Sequence, residues 1–258
     1  MDRDLEKIKH IISQNTPFEV LDYGKLIRSQ IGISLAKSFE QDVSDDLINL
    51  LSAIEMIHNA SLLHDDVLDD ESIRRNADSM NKKEGNKKAV LYGDIILSSA
   101  MKFVVNLSSD EITKIILSAI SNMCQGELLQ SSQVGTIPDI DSYLKKCELK
   151  TGSLFQALVK SVCCILNQPD ISDFGLNFGI AFQIKNDMDN VLTSGSDSRN
   201  GIYTAPFIYS GGGDVSVLAI EKTKGLIDNY RSKCLKELSF IKDGLHKEEL
   251  IGVLQCLI

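Results

Sequence analysis

The residues DVSDDLINLLSAIEMIHNASLLHDD, at positions 42–66, predict a long helix, and this helix decides the fold class. Ser44 precedes the apolar pattern and is the expected N-cap, because its hydroxyl can accept a backbone N–H of the first turn. Apolar side chains then recur at spacings of three and four residues, which is typical of the buried face of a helix. They are Leu47, Leu50, Leu51, Ile54 and Ile57.

A second long helix is predicted over residues 108–130, where Ser108 and Glu111 have the spacing of a capping box. The chain has four prolines, no tryptophan and few alternating polar and apolar stretches, which disfavours sandwiches, barrels and βαβ arrays. Pro138 and Pro169 lie in short polar breaks that suit helix connections. We therefore predict an all-α fold, formed by one compact helical bundle in a single domain over residues 1–258.

Composition limits the classes of partner and the compartment. A chain of 258 residues with 43% hydrophobic residues can bury a sizeable core. Its net charge of -9 disfavours nucleic acid as a partner, because phosphate backbones are bound by an excess of Lys and Arg. Six cysteines without a CxxC pair indicate neither a disulfide framework nor a zinc site. The charged N-terminus and the lack of a long apolar run predict a cytoplasmic protein without a stable membrane anchor.

The end of the first helix, HNASLLHDDVLDDESIRRN at 58–76, concentrates polar side chains. Asp65 and Asp69 are four residues apart and share a helical face, so their charges repel unless a cation lies between them. Mg²⁺ prefers such hard oxygen ligands and often shares its coordination with substrate phosphates. Arg74 and Arg75 follow with forked donors suited to phosphate oxygens. The pattern indicates a metal and diphosphate site, with a solvated acidic helix end as the alternative.

A second polar stretch, FQIKNDMDN at 182–190, lies in another apolar run. Gln183, Asp187 and Asn190 share one helical face, whereas Asp189 lies on the opposite face and is expected to pair with Lys185, four residues earlier. By itself the stretch is compatible with a metal site, a metal site that has lost part of its chemistry, or a polar helix surface.

The stretch LLHDDVLDDESIRR at 62–75 resembles the first aspartate-rich motif of the trans-isoprenyl diphosphate synthases, the polyprenyl synthetase family. Other stretches resemble the family's motifs in the family's order: YGKLIRS (23–29), NKKAVLYGD (86–94), QGELLQ (125–130), LKTGSLF (149–155), GIAFQIKNDMDN (179–190) and DSRNGIYTAP (197–206). The resemblance covers nearly the whole chain. It implies the isoprenoid synthase type of helical bundle, with a central cavity, and a homodimer.

The resemblance also implies roles for individual residues. The expected cofactor is Mg²⁺, and its implied ligands are Asp65, Asp69, Asp187 and Asn186. The implied catalytic residues are Asp65, Asp69, Lys150, Thr151 and Gln183. Arg74 and Lys150 would bind the allylic diphosphate. The implied pocket for isopentenyl diphosphate comprises Lys25, Arg28, His58 and Arg75.

Without the resemblance, the same residue types have simpler explanations. Lys25 and Arg28 would be surface cations, and His58 a core histidine. Thr151 and Gln183 would make hydrogen bonds within their own helices. Asp66 lies about 100° round the helix from Asp65 and is expected to support the metal site indirectly.

The implied reaction is the condensation of an allylic diphosphate with isopentenyl diphosphate to a longer trans-prenyl diphosphate. The allylic diphosphate ionises, the alkene of isopentenyl diphosphate attacks the cation, and a proton leaves to the released diphosphate. In the family, bulky aromatic residues four and five positions before the first motif shorten the product. Ser61 and Ala60 occupy these positions here, which implies a product of twenty carbons or more.

Four positions depart from the family's pattern. Ser29 replaces a proline, Asn186 and Asn190 replace two aspartates of the second motif, and Ile202 stands where a lysine is usual. Amide oxygens bring no negative charge, so the second metal half-site is expected to bind less tightly. Two alternatives therefore stay open: a noncatalytic or regulatory subunit of a prenyl synthase, and a class I terpene cyclase.

Overall fold

The computed structural model describes residues 1–16, 23–74, 77–193 and 196–257, so Arg75 of the predicted site lies outside the described residues. Nearly all of the described secondary structure is helical, which confirms the predicted all-α class. The chain forms two compact units, Met1–Thr113 and Lys114–Ile258. The single domain expected over residues 1–258 stays a prediction.

The first unit consists of five helices and a short hairpin within its described residues. In chain order these are α1 (Asp2–Gln14), α2 (Ile27–Ser38), α3 (Asp45–Leu68), β1 (Ile73–Arg74), β2 (Ala77–Asp78), α4 (Met80–Glu84) and α5 (Asn86–Asn106). The strands are antiparallel, with Ile73 opposite Asp78 and Arg74 opposite Ala77. The hairpin follows α3 directly and holds Arg74 close to the acidic end of that helix.

Helix α3 forms the core of the first unit, as the sequence predicted. Ser44 caps it, because its Oγ accepts the backbone N–H of Leu47 at 3.2 Å. The five predicted apolar side chains are all buried, and α3 packs mainly against α5, with α1 and α2 also in contact. A helix buried on most of its sides has no exposed face for charged residues. The exposed or half-buried acids of this helix therefore lie at its two ends, whereas Glu55 in its middle is buried.

The second unit begins inside α6 and is helical throughout its described residues. Its elements are α6 (Asp110–Gln133), α7 (Ile140–Cys147), a π-helical turn (Glu148–Gly152), α8 (Ser153–Leu166), α9 (Ser172–Thr193), α10 (Ser196–Arg199), α11 (Ala205–Tyr209), α12 (Val217–Glu237), a 3₁₀ turn (Leu238–Phe240), α13 (Leu245–Val253) and a second 3₁₀ turn (Leu254–Leu257). Helix α9 packs against both α8 and α12.

The start of α6 differs from the prediction by one residue. Ser109 caps the helix, since its Oγ accepts the backbone N–H of Ile112 at 3.3 Å. Ser108, the predicted cap, has a positive φ of 54° and belongs to the turn before the helix. Ser108 alone has the capping-box spacing with Glu111, but the turn geometry makes Ser109 the N-cap.

The π-helical turn interrupts an otherwise continuous helix over Ile140–Leu166. The backbone N–H of Ser153 donates to the carbonyl of Glu148, five residues earlier. Two glycines bring other helices against this turn: a Cβ on Gly126 would lie 2.5 Å from the backbone nitrogen of Lys150, and one on Gly179 would lie 2.7 Å from Cα of Gly152. Helices α6 and α9 thus contact the turn at a distance that a larger residue would prevent.

Two helical segments among the described residues are long and apolar enough to cross a membrane by length and composition alone. They are Asn86–Asn106, with 28% of its most apolar window buried inside the protein, and Ile140–Leu166, with 61% buried. Core helices of soluble proteins pass the same test, so this is weak evidence. The expected lack of a membrane anchor and the cytoplasmic location stay predictions.

Replacing Gly179 by alanine should lower the free energy of unfolding by about 1–3 kcal/mol, because the added methyl group would meet backbone atoms of the π-helical turn. Gly225→Ala is the matched control in α12, where an added Cβ meets nothing within 4 Å. It should raise the free energy of unfolding by about 0.5–1 kcal/mol, since alanine favours a helix. Urea denaturation measures both values. Equal effects of the two substitutions would contradict the close approach.

Candidate active site

The acids of the first aspartate motif, residues 65–69, lie at the C-terminal end of α3. Asp65 is in the last turn and Asp69 is the residue after the helix, with its backbone N–H donating to the carbonyl of Asp65 at 2.8 Å. Both side chains are half-buried. The C-terminus is the negative end of the helix dipole, so these carboxylates are in an unfavourable field that a cation would relieve.

Asp66 is buried and anchors the chain that follows α3. Its carboxylate accepts a hydrogen bond from Nε of Arg74, and its backbone carbonyl accepts one from Nδ2 of Asn81 at 2.9 Å. Burial raises the pKa of Asp66, while the Arg74 guanidinium opposes that shift. Asp66 therefore orients Arg74, the residue predicted to bind diphosphate. The sequence predicted that Asp66 would support the metal site in such an indirect way.

Three residues of the predicted isopentenyl diphosphate pocket are described: one lies just before α2, one on α2 and one on α3. Lys25 is exposed, Arg28 is buried in the first turn of α2, and His58 is half-buried in α3. Helices α2 and α3 are in contact, so two of these side chains lie on packed neighbours.

Glu55 in α3 fixes the start of α2, a role that the sequence did not reveal. Its Oε1 accepts both the backbone N–H and the hydroxyl of Ser29, each at 2.9 Å. The carboxylate is 3% exposed and lies at the positive end of the α2 dipole. A proline at position 29, as in the family's pattern, could donate neither hydrogen bond. Ser29 is thus matched by Glu55, and together they hold the backbone next to Arg28.

In the second unit, the π-helical turn carries Lys150 and Thr151. The ammonium of Lys150 pairs with the carboxylate of Glu127 in α6, and both side chains are mostly buried. Glu127 follows Gly126, so the close approach of α6 to the turn makes this ion pair possible. The motif QGELLQ was visible in the sequence, but nothing in it indicated that Glu127 would pair with Lys150.

The second aspartate motif, residues 186–190, presents its members to different surroundings. Asp187 is 5% exposed, whereas Asn186 is exposed. The hydroxyl of Tyr143 donates to Oδ2 of Asp187 at 2.7 Å, and Nε2 of Gln183 donates to Oδ1 at 2.6 Å. The metal roles predicted for Asp187 and Asn186 stay predictions.

Two sequence predictions about this motif agree with the geometry. Asp189 pairs with Lys185 four residues earlier, with Nζ 2.6 Å from each carboxylate oxygen. Gln183 lies on the face of Asp187 and also accepts the hydroxyl proton of Thr151 at 2.6 Å. Thr151 and Gln183 are 32 residues apart, so this bond joins two helical segments and is not the helix-internal bond of the simpler explanation.

A family model described as Polyprenyl synthetase matches residues 9–218. The chain belongs to the polyprenyl synthetase family. The resemblance to trans-isoprenyl diphosphate synthases is thereby confirmed. The match includes every predicted site residue of this polyprenyl synthetase family member and all four departures, Ser29, Asn186, Asn190 and Ile202.

Individual relatives agree with this family. The chain is 35% identical over 201 residues to the decaprenyl-diphosphate synthase of Dictyostelium discoideum, a match that covers 72% of the chain and 44% of that protein. The chain thus spans less than half the length of that relative.

Solved structures share the fold. A polyprenyl synthase from Caulobacter crescentus CB15, complexed with calcium and isoprenyl diphosphate, has a TM-score of 0.90 at 22% identity, covering 99% of this chain and 94% of that one. The octaprenyl pyrophosphate synthase from Helicobacter pylori has a TM-score of 0.80 at 27% identity, covering 98% and 99%. The predicted isoprenoid synthase fold is confirmed.

Cys147 precedes the π-helical turn and is buried, which gives a prediction about the reactivity of its thiol. Burial is the main cause that raises the pKa of the Cys147 thiol to about 12, so the thiolate that reacts with alkylating agents is scarce at pH 8. Iodoacetamide should label the exposed Cys256 in the native protein and Cys147 only after unfolding in urea. Peptide mass spectrometry measures both, and rapid native labelling of Cys147 would contradict the predicted burial.

Proposed function

We propose that this chain is a Mg²⁺-dependent prenyltransferase that condenses an allylic diphosphate with isopentenyl diphosphate. Membership of the polyprenyl synthetase family supports the reaction type. The Dictyostelium relative is named as a decaprenyl-diphosphate synthase, and the Caulobacter structure contains calcium with isoprenyl diphosphate. Both support a prenyl diphosphate as a ligand of the site, and the calcium of the Caulobacter structure supports a divalent cation.

The arrangement of Asp65 and Asp69 at the end of α3 carries the proposal. Two half-buried carboxylates, one helical turn apart at the negative end of a helix dipole, offer the hard oxygen ligands that Mg²⁺ prefers. Mg²⁺ keeps several waters or substrate oxygens, so two protein carboxylates fit it as a donor set. Asp65 and Asp69 would hold the ion, which when bound neutralises the charge that develops on the departing diphosphate.

Cationic side chains would bind the two diphosphates. Arg74 and Lys150 are assigned to the allylic diphosphate, and their guanidinium and ammonium groups are oriented by Asp66 and Glu127. Fixed donors of this kind stabilise a leaving anion without reorganising during the reaction. The pocket for isopentenyl diphosphate is assigned to Lys25, Arg28, His58 and Arg75.

Thr151 and Gln183 would stabilise the allylic cation. The hydroxyl proton of Thr151 is donated to Oε1 of Gln183, so the Thr151 oxygen has only lone pairs left for another partner. An oxygen that presents only lone pairs places partial negative charge near a cation. A neutral hydroxyl held in this way stabilises the cation electrostatically while its proton stays engaged.

We also propose a product of twenty carbons or more. Ala60 is 1% exposed in α3, and the next residue, Ser61, is half-buried. Side chains as small as these would not block a growing prenyl chain. The decaprenyl and octaprenyl names of two relatives support a long product.

The deciding experiment incubates the purified chain with Mg²⁺, labelled isopentenyl diphosphate and allylic diphosphates of several lengths, and sizes the products. Asp69→Asn should lower kcat by roughly a hundredfold or more, because it removes a metal-binding charge. Asp70→Asn is the matched control: Asp70 is exposed and has a φ of 50°, which asparagine also tolerates. It should keep nearly full activity.

The outcomes separate the alternatives. No incorporation with any allylic diphosphate would contradict a catalytic chain and favour a noncatalytic subunit. Release of diphosphate with a cyclic product, without isopentenyl diphosphate, would favour a terpene cyclase. Equal losses for Asp69→Asn and Asp70→Asn would contradict the assigned metal site.

A homodimer is proposed on an apolar stripe of α5. Leu91, Ile95 and Val105 are exposed by 59%, 47% and 59%, and at 100° per residue they lie on one face of the helix. Leu91→Glu should shift the mass in sedimentation equilibrium towards a monomer. Leu218→Glu is the matched control, since Leu218 in α12 is 60% exposed, and it should leave the mass unchanged. A wild-type monomer would contradict the proposal.

A further inference from the structure

Side chains of the second unit engage both carboxylate oxygens of Asp187. Oδ1 accepts from Nε2 of Gln183 at 2.6 Å, and Oδ2 accepts from the hydroxyl of Tyr143 at 2.7 Å. The Asp187 side chain is 6% exposed, and Tyr143 is fully buried. Asp187 is therefore a buried, hydrogen-bonded anion and differs from the half-buried carboxylates of Asp65 and Asp69.

Lys146 supplies a positive charge at this anion. Its Nζ lies 3.8 Å from Oδ2 of Asp187, and its side chain is 4% exposed. The same Nζ lies 4.8 Å from the centroid of the Tyr143 ring, within the range of a cation–π contact. A buried ammonium is strongly unfavourable without a counter-charge, so Lys146 and Asp187 each compensate the burial of the other.

A divalent cation does not fit these surroundings of Asp187. Each Asp187 oxygen accepts a hydrogen bond from Gln183 or Tyr143, so Mg²⁺, which binds oxygen at about 2.0–2.1 Å, could use only the remaining lone pairs. It would also face the Lys146 ammonium in a poorly solvated interior, where like charges repel strongly. Asn186, the neighbouring residue, brings no negative charge that would offset the ammonium.

We propose that Lys146 takes the place of a metal ion as the counter-charge of Asp187, which acts as a positioning residue for Gln183. Held by Asp187 through Nε2, Gln183 turns Oε1 towards the hydroxyl of Thr151. Divalent cation binding is then left to Asp65 and Asp69. In assigning the metal to those two residues, the inference rests on the proposed function.

A titration with Mn²⁺ in the presence of inorganic diphosphate, followed by the electron paramagnetic resonance signal of free Mn²⁺, tests the metal assignment. Asp187→Asn should leave the number of bound ions unchanged and the Kd within about twofold, because Lys146 keeps Asp187 from binding an ion in the wild type. Asp69→Asn should weaken binding by about tenfold or more. Loss of a bound ion in Asp187→Asn would overturn the inference.

The number of ions bound by Lys146→Met distinguishes a lysine that replaces a metal from one with a merely structural role. With the ammonium removed, the folded variant should bind one Mn²⁺ more per chain than the wild type, and adding Asp187→Asn should abolish that gain. Lys145→Met is the matched control, because Lys145 is an exposed neighbour paired with Glu148, and it should not change the number of ions. A folded Lys146→Met without the extra ion would overturn the inference.

Thermal unfolding keeps the inference testable if a single variant is unstable or the wild type binds no Mn²⁺. Lys146→Met and Asp187→Asn should each lower Tm by on the order of 10 °C, because each leaves a buried charge or a broken network. The double variant should lose less than the sum of the two, and an additive loss would overturn the ion pair. If the wild type binds no Mn²⁺ but the two substitutions are non-additive, the result would count against the metal site of the proposed function. It would still support the ion pair of Lys146 and Asp187.

Discussion

The close approach of helices at the π-helical turn is the constraint on which the second unit depends. Gly126 and Gly179 have no side chain, and any Cβ at these positions would meet backbone atoms of the turn. This approach brings Glu127 of α6 to Lys150, and Gln183 of α9 to Thr151. A π-helical turn adds one residue to a helical segment and displaces its side chains, which is why such turns are frequent at functional sites.

The buried carboxylates among the described residues are paired by groups of the same unit. Glu55 accepts two hydrogen bonds from Ser29, Asp66 accepts one from Arg74, and Asp187 is held by Tyr143, Gln183 and Lys146. A buried carboxylate without such partners would pay a large desolvation cost. Each of these three carboxylates orients a residue that takes part in the proposed chemistry, or the backbone next to such a residue.

The departures from the family's pattern have local explanations of unequal strength. Ser29 is explained by Glu55, because a serine donates two hydrogen bonds where a proline donates none. Asn186 lowers the charge of the second aspartate motif, and the nearby Lys146 already balances Asp187. Nothing in the structure explains Ile202.

The sequence by itself determined the all-α class, the long helix α3 with its Ser44 cap, the family, and the pairing of Asp189 with Lys185. These depend on periodicity and on contacts within four residues, which a linear pattern contains. Only the tertiary structure decided that Glu55 holds Ser29, that Glu127 holds Lys150, and that Lys146 lies at Asp187. Those partners are between 23 and 41 residues apart, and their meeting depends on helix packing and on glycines that allow close approach. No spacing rule along the chain encodes such contacts, because burial decides whether a lysine is a surface cation or an internal counter-charge.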